Sequence, residues 1–259
     1  MPRFISTLVF LMIRCFIVTS SSCQSDRNQD HRPRVSCVSQ GLTAVPAGID
    51  ADTQVLVLTG NQFTSLSWSM YSGFSELLME IYLDRNQIRS LHDSTFSELP
   101  RLEVINLSEN KLPALPPRLL ERVSSGGLKT FDLENNSVSL MPDGFFSSKP
   151  ELPYVYLTHN PWLCSCAVGY LHSYLNDQEH NVYMHDGPND IVPAADSVVC
   201  SGPPHLMTSV HQIQWILHSL IPEGTKMPNP LVFFQISNSL MFFQQTQRAG
   251  KCSGRRCTE

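Results

Sequence analysis

One spelling recurs five times in this chain of 259 residues. It reads "TQVLVLTGNQF" from Thr53, "LMEIYLDRNQI" from Leu78 and "LEVINLSENKL" from Leu102. It returns as "LKTFDLENNSV" from Leu128 and "LPYVYLTHNPW" from Leu152. A single frame, L-x-x-L-x-L-x-x-N-x-L with apolar stand-ins, fits every copy. The frame asparagines are Asn61, Asn86, Asn110, Asn136 and Asn160, spaced 25, 24, 26 and 24 residues apart. Nothing else in the chain limits its fold as tightly.

Within each copy the x-L-x-L-x stretch alternates apolar and other residues, the period of a strand with one buried face. One such strand cannot bury its apolar face alone, and stacked copies can. The period lies within the roughly 20–29 residues of leucine-rich repeats. The asparagine turns the chain inward after the strand, and its amide both donates and accepts, so it can satisfy backbone groups of adjacent coils. Later apolar residues close each coil: Leu91, Phe96 and Leu99, then Leu115 and Leu119, then Met141 and Phe145. The expected fold is an α/β repeat, a solenoid with short parallel strands on its concave face.

The flanks set the boundaries. "MPRFISTLVFLMIRCFIVTSSSC" has a basic start, an apolar run and small residues at 20–22, so residues 1–22 read as a secretory signal. A membrane span needs about 18 or more apolar residues, and no stretch reaches that uninterrupted. Removing the signal takes away Arg3 and Arg14 and leaves 16 basic against 23 acidic side chains, a net charge of −7. That balance argues against nucleic acid and for a basic protein partner. Cys15 lies in the signal; Cys23, Cys37, Cys164, Cys166, Cys200, Cys252 and Cys257 flank the repeats, and none lies inside them. In a secreted chain they read as disulfides closing the solenoid ends, with one thiol left over. A Cys23–Cys37 bridge would close a loop worth about 3 kcal/mol in the chain-entropy model. Spacing alone leaves the connectivity open. The expected divisions are an N-terminal cysteine cap at 23–51, repeats at 52–159, a C-terminal cysteine cap at 160–200 and an atypical tail at 201–259. No catalytic motif stands out, neither G-x-S-x-G nor H-E-x-x-H nor a phosphate-cradling glycine loop. Cys164-Ser165-Cys166 has the wrong spacing for zinc and no second close pair. The chain is expected to be no enzyme and to carry no cofactor and no metal.

Past the last repeat the spelling becomes more particular. "GFF" at 144–146, "NPWLCSC" at 160–166 and "YLNDQEHNVYMHDG" at 174–187 closely resemble the platelet glycoprotein Ib alpha family. "SCVSQGLTAVPAGIDADTQVLVLTGNQF", from Ser36, resembles that family's N-terminal cap and first repeat. The resemblance implies pairing of Cys23 with Cys37, Cys164 with Cys200 and Cys166 with Cys252, leaving Cys257. It implies an extracellular chain, secreted or on the outer face of the plasma membrane, that acts in platelet adhesion. The implied partner is the first A domain of von Willebrand factor, together with co-receptor subunits. The resemblance covers roughly residues 23–200. This chain has five repeat frames where the family has more, and the stalk and membrane helix the family carries have no counterpart in it. Residues 211–221, "HQIQWILHSLI", could form a helix over the solenoid's end.

Residues between the buried leucines point to the concave side. The candidates there are Glu80, Tyr82, Asp84, Asn106, Glu109, Asp132, Glu134, Tyr154 and Tyr156. They predict a face acidic in the middle with tyrosines toward both ends, tyrosine being a common interface anchor and acids steering a basic partner. The resemblance adds a C-terminal cap loop, starting near Val182, Tyr183 and Met184, that pairs with an edge strand of the partner. Asn106 and Asn135 begin glycosylation sequons, of which at most one is expected to be used. The alternative is a secreted leucine-rich repeat protein that binds matrix or growth-factor ligands.

Overall fold

Each frame supplies only two buried positions in alternation, and the strands it forms are correspondingly short. A computed structural model describes residues 23–124, 126–164, 168–187, 190–202 and 208–210, and the backbone of 252–253 and 256–257. Five three-residue strands come from the five frames: β3 (Val55–Val57), β4 (Glu80–Tyr82), β5 (Val104–Asn106), β6 (Thr130–Asp132) and β7 (Tyr154–Tyr156). They pair in parallel and in register, Val55 with Glu80, Val104, Thr130 and Tyr154 in turn. An antiparallel ribbon extends this parallel core at each end. At the N-terminal end, β2 (Pro33–Ser36) joins β3 in parallel and carries β1 (Gln24–Arg27). At the other end, β9 (Val182–His185) joins β7 in parallel and carries β10 (Ile191–Pro193). The result is one nine-stranded sheet, the capped leucine-rich repeat solenoid that the spelling predicts.

The frame leucines form the core. Leu56, Leu58, Ile81, Leu83, Ile105, Leu107, Phe131, Leu133, Val155 and Leu157 are fully buried. The coil-closing residues Phe96, Leu99, Leu115, Leu119, Met141 and Phe145 are buried with them, and Leu91 packs half-buried against that core.

The asparagine ladder runs through all five coils. Asn86 Nδ2 donates to Leu83 O at 2.9 Å in its own coil and to Leu58 O at 3.0 Å in the coil before. Its Oδ1 accepts the Phe63 N–H at 3.2 Å. Asn110, Asn136 and Asn160 repeat this pattern. Asn61 bonds the N-terminal cap in the same way, through Cys37 O and the amides of Gln40 and Leu42. Each side chain thus satisfies buried backbone groups that a short strand leaves behind. The residue before each asparagine, Gly60, Arg85, Glu109, Asn135 or His159, has a left-handed backbone with φ between 51° and 72°. That conformation turns the chain out of the strand and is uncommon for residues other than glycine and asparagine.

The caps are tied by disulfides Cys23–Cys37 and Cys164–Cys200, two of the three pairs the resemblance implies. Cys166, the side chains of Cys252 and Cys257, the signal at 1–22 and the segment 211–221 lie outside the described residues. In the C-terminal cap, β8 (Trp162–Leu163) pairs in parallel with β11 (Cys200–Gly202). Cys252–Ser253 and Arg256–Cys257 form a separate antiparallel pair, β12 and β13. Helix α1 (Gly169–Asp177) docks through Phe146, whose ring stacks on Tyr174 at 4.5 Å and meets Phe131 and Phe145 edge-on or nearly so. Tyr170 Oη accepts the Phe146 N–H at 2.8 Å, so the "GFF" stretch is where the last coil and the cap helix join. No helix of the described residues is long and apolar enough to cross a membrane.

Candidate protein-binding face

The free face of the sheet carries two acidic groups, and each terminal ribbon sends a basic side chain onto one of them. From the turn after β1, Arg32 Nη1 donates to Glu80 Oε1 at 2.8 Å, and both its Nη atoms donate to Glu103 Oε2 at 3.1 Å. Lys129 Nζ donates to the same Glu103 oxygen at 2.9 Å. Asn28 Nδ2 donates to Glu80 Oε1 and Tyr82 Oη to Glu80 Oε2. Burial and these acidic neighbours push the Tyr82 hydroxyl well above its usual range. Against this cluster the ribbon leaves a hollow of about 450 Å³, lined by Asn28, Gln29, Asp30, Val55, Val57, Glu80 and Tyr82 among others. Asp84 sits beyond it, accepting from Thr59 Oγ1 at 2.6 Å and paired with Arg85 at 3.1 Å.

At the C-terminal end the basic group is His185, the last residue of β9. Its Nε2 lies 3.0 Å from Asp132 Oδ2, and its backbone N–H donates to Glu134 Oε2 at 3.3 Å. The imidazole lies flat on Tyr156, with ring centroids 4.6 Å apart and planes within 8°. The hydrogen bond that His185 donates to Asp132 raises the His185 pKa above its ordinary 6.5, aided by the charges of Asp132, Glu134 and Asp84 and opposed by burial. Asp132 is 1% exposed, and its own pKa is also raised, because burial outweighs the hydrogen bond and charge of His185. Both directions come from one enclosed pair: the carboxylate lacks water, and the half-exposed imidazole supplies the positive charge it needs. Glu134 also accepts from Thr158 Oγ1 and stands 3.2 Å from His159 Nδ1. Burial and the surrounding carboxylates push the Tyr156 hydroxyl up to about 12.

The sheet carries Glu80, Tyr82, Asn106, Asp132, Tyr154 and Tyr156 in its strands, with Asp84, Glu109 and Glu134 just beyond them, but not as an open acidic floor. Glu80, Asp84, Asp132, Glu134 and Tyr156 are all at least nine-tenths buried. Tyr82 and Asn106 are half-buried, and Glu109 is exposed in its left-handed turn. Tyr154 is 40% exposed, packs against Tyr183 at 5.4 Å, and is the most exposed of the candidate tyrosines. Of the cap-loop residues, Tyr183 and Met184 are half-buried. Val182 is fully buried against Val155 in the sheet, so its side chain offers a partner nothing. The hairpin itself is already formed, with β10 as the sheet's outer edge and Ile191 exposed on it. The loop residues 188–189 lie outside the described residues. Arg32, Glu103, Lys129, His159 and His185 were missed by pattern reading, because their roles depend on contacts 25 to 71 residues apart. The only textual hint was the position of His185 within the cap stretch.

The two sequons sit differently. Asn106 lies in β5, half-buried, with its Oδ1 accepting from Ser108 N and Ser108 Oγ. Asn135 is exposed in a turn at the rim.

Known proteins share this architecture. Residues 76–125 match the family model described as "Leucine rich repeat". The platelet glycoprotein Ib alpha chain of Canis lupus familiaris is 36% identical over 238 residues, covering 64% of this chain and 35% of that protein. Tsukushi of Gallus gallus is 34% identical over 117 residues, 46% of this chain and 31% of that protein. Fibromodulin of Oryctolagus cuniculus is 32% identical over 119 residues, 46% of this chain and 76% of that sequence. The chain therefore belongs to the leucine-rich repeat family. It spans about a third of the length of the dog glycoprotein and of chicken Tsukushi.

Proposed function

We propose that this chain is the binding region of an extracellular adhesion receptor that docks a basic protein on its concave face, rather than an enzyme. The observation that carries the reading is the nine-stranded sheet, five repeat strands with a ribbon at each end, with a polar hollow at one end and a tyrosine group at the other. Tyr154 and Tyr183 give rigid apolar area with polar tips, and the chain's excess of acidic side chains gives the field that steers a cationic surface. The two disulfides suit an oxidising compartment. The similarity to glycoprotein Ib alpha, with the cap stretch 174–187, favours the first A domain of von Willebrand factor as the partner and platelet or thrombocyte adhesion as the setting, on a secreted or surface-bound chain that works with co-receptor subunits.

The likeness to Tsukushi and fibromodulin as well as to the glycoprotein keeps a second reading, a secreted leucine-rich repeat protein that binds matrix or growth-factor ligands. Surface plasmon resonance of the secreted chain over that A domain and over collagen separates the two. The first reading expects binding to the A domain that weakens as salt rises and falls at least about tenfold in Y154A, an interface-anchor loss. No response to the A domain at low salt would defeat it, and a response to collagen alone would favour the second.

A further inference from the structure

Asp132, Glu134 and His185 bring two carboxylates and one imidazole together where the C-terminal ribbon crosses the sheet. One ligand atom from each lies within 4.8 Å of the others. The three come from two segments: Asp132 ends β6 with Glu134 two residues on in the same coil, and His185 reaches over the ring of Tyr156 from β9. Both carboxylates are largely out of water, 1% and 7% exposed. Among the described residues no lysine or arginine pairs with either; their only ion-pair partners are His185 and His159. At the other end of the face, by contrast, Glu80 and Glu103 hold Arg32 and Lys129. Two enclosed carboxylates have only imidazoles for counter-charge, and a divalent cation bound to neutral His185 balances both of them directly.

We propose that Asp132, Glu134 and His185 bind a divalent zinc ion that ties β9 to β6 across the concave face. Nitrogen and carboxylate donors are zinc ligands, whereas calcium and magnesium take oxygen alone. A tetrahedral zinc with bonds of about 2.1 Å has donor separations of about 3.4 Å. His185 Nε2 and Asp132 Oδ2, at 3.0 Å, are already close to that edge. Glu134 closes the third corner by a small side-chain rotation. His159, 3.2 Å from Glu134 on an exposed side chain, or water completes the four. The ion is structural in this setting: it fixes the ribbon and cancels charge at the C-terminal end of the face. The site does not depend on who the protein partner is.

The test uses the full secreted chain, stripped with a chelator and titrated calorimetrically with zinc chloride and, separately, calcium and magnesium chloride. One zinc step is expected, with no comparable response to calcium or magnesium. H185Q and D132N are each expected to weaken that step at least about tenfold, the scale of losing a ligand's support or the ligand itself. Cobalt in place of zinc is expected to give a tetrahedral visible absorption band in the native chain and none in H185Q. Zinc held elsewhere by the chain's other histidines and cysteines would titrate equally in native protein and both variants, and that equality would overturn the assignment, as would no zinc binding at all. Should D132N fail to fold, H185Q decides alone, since its side chain is exposed and its fold is checked by circular dichroism.

Discussion

The two ribbons that end the sheet are built alike and held differently. Each is an antiparallel pair whose inner strand runs parallel to the repeats, and each sends one basic group across the free face. The N-terminal ribbon is bridged directly by Cys23–Cys37, and its basic group is Arg32, which is charged at every pH a protein meets. The C-terminal ribbon carries no bridge of its own: Cys164–Cys200 lies beside it, and its basic group is His185, an imidazole whose charge depends on pH and whose pKa is raised above 6.5. One end of the proposed binding face is therefore fixed and the other adjustable. That contrast matters to the proposal because Tyr154 and Tyr183, its aromatic anchors, sit at the adjustable end.

The largest effect is expected at the helix that backs the C-terminal ribbon. Phe146→Ala removes a buried ring that packs on Phe131, Phe145 and Tyr174, and should cost about 3–4 kcal/mol. Thermal unfolding followed by circular dichroism checks it; a loss under about 1 kcal/mol would mean the cap is held elsewhere. Arg32→Ala comes next. It strands the buried carboxylate of Glu80 and leaves half-buried Glu103 with Lys129 alone, and should cost about 2–3 kcal/mol, read by the same melt, with a loss that hardly changes between pH 6 and pH 8.

Much of this was legible in the letters, and the reason is repetition. Five in-frame copies fix the strand positions, the buried leucines and the ladder asparagines, because each copy faces the same physical problem as its neighbour. The left-handed turn before each asparagine was legible only at Gly60 and Asn135, since Arg85, Glu109 and His159 carry no local sign of it. The cover over the acids was not legible either. Arg32 reaches Glu103 across 71 positions and His185 reaches Asp132 across 53, and no periodicity records such contacts. Val182 looked like a loop residue because nothing nearby says that β9 extends the repeat sheet.

His185→Gln should act on one ribbon and only in one pH range. A partner-raised histidine contributes its full share below the unfolded value of 6.5, and that share is lost as pH rises through the higher folded value. With chelator present, the substitution should cost about 0.5–1 kcal/mol at acid pH, reduced by solvent screening of a half-exposed side chain, and close to nothing at alkaline pH. Urea titrations at the two extremes read the difference; an equal cost at both would assign His185 a packing role. The smallest effect belongs to the rim. Asn135→Gln should remove the glycan and leave stability within about 0.5 kcal/mol, while Asn106→Gln leaves the glycan mass unchanged. Mass spectrometry of the secreted chain before and after deglycosylation decides between them.

The contrast between the ribbons is tested most directly by hydrogen exchange of the chelated native chain at pH 5.5 and pH 8, corrected for intrinsic rates. Amides of Val182–His185 and Ile191–Val192 should lose protection at the higher pH, while those of Gln24–Arg27 and Arg34–Ser36 keep theirs. Equal behaviour of both ribbons, or loss confined to the N-terminal one, would contradict the account.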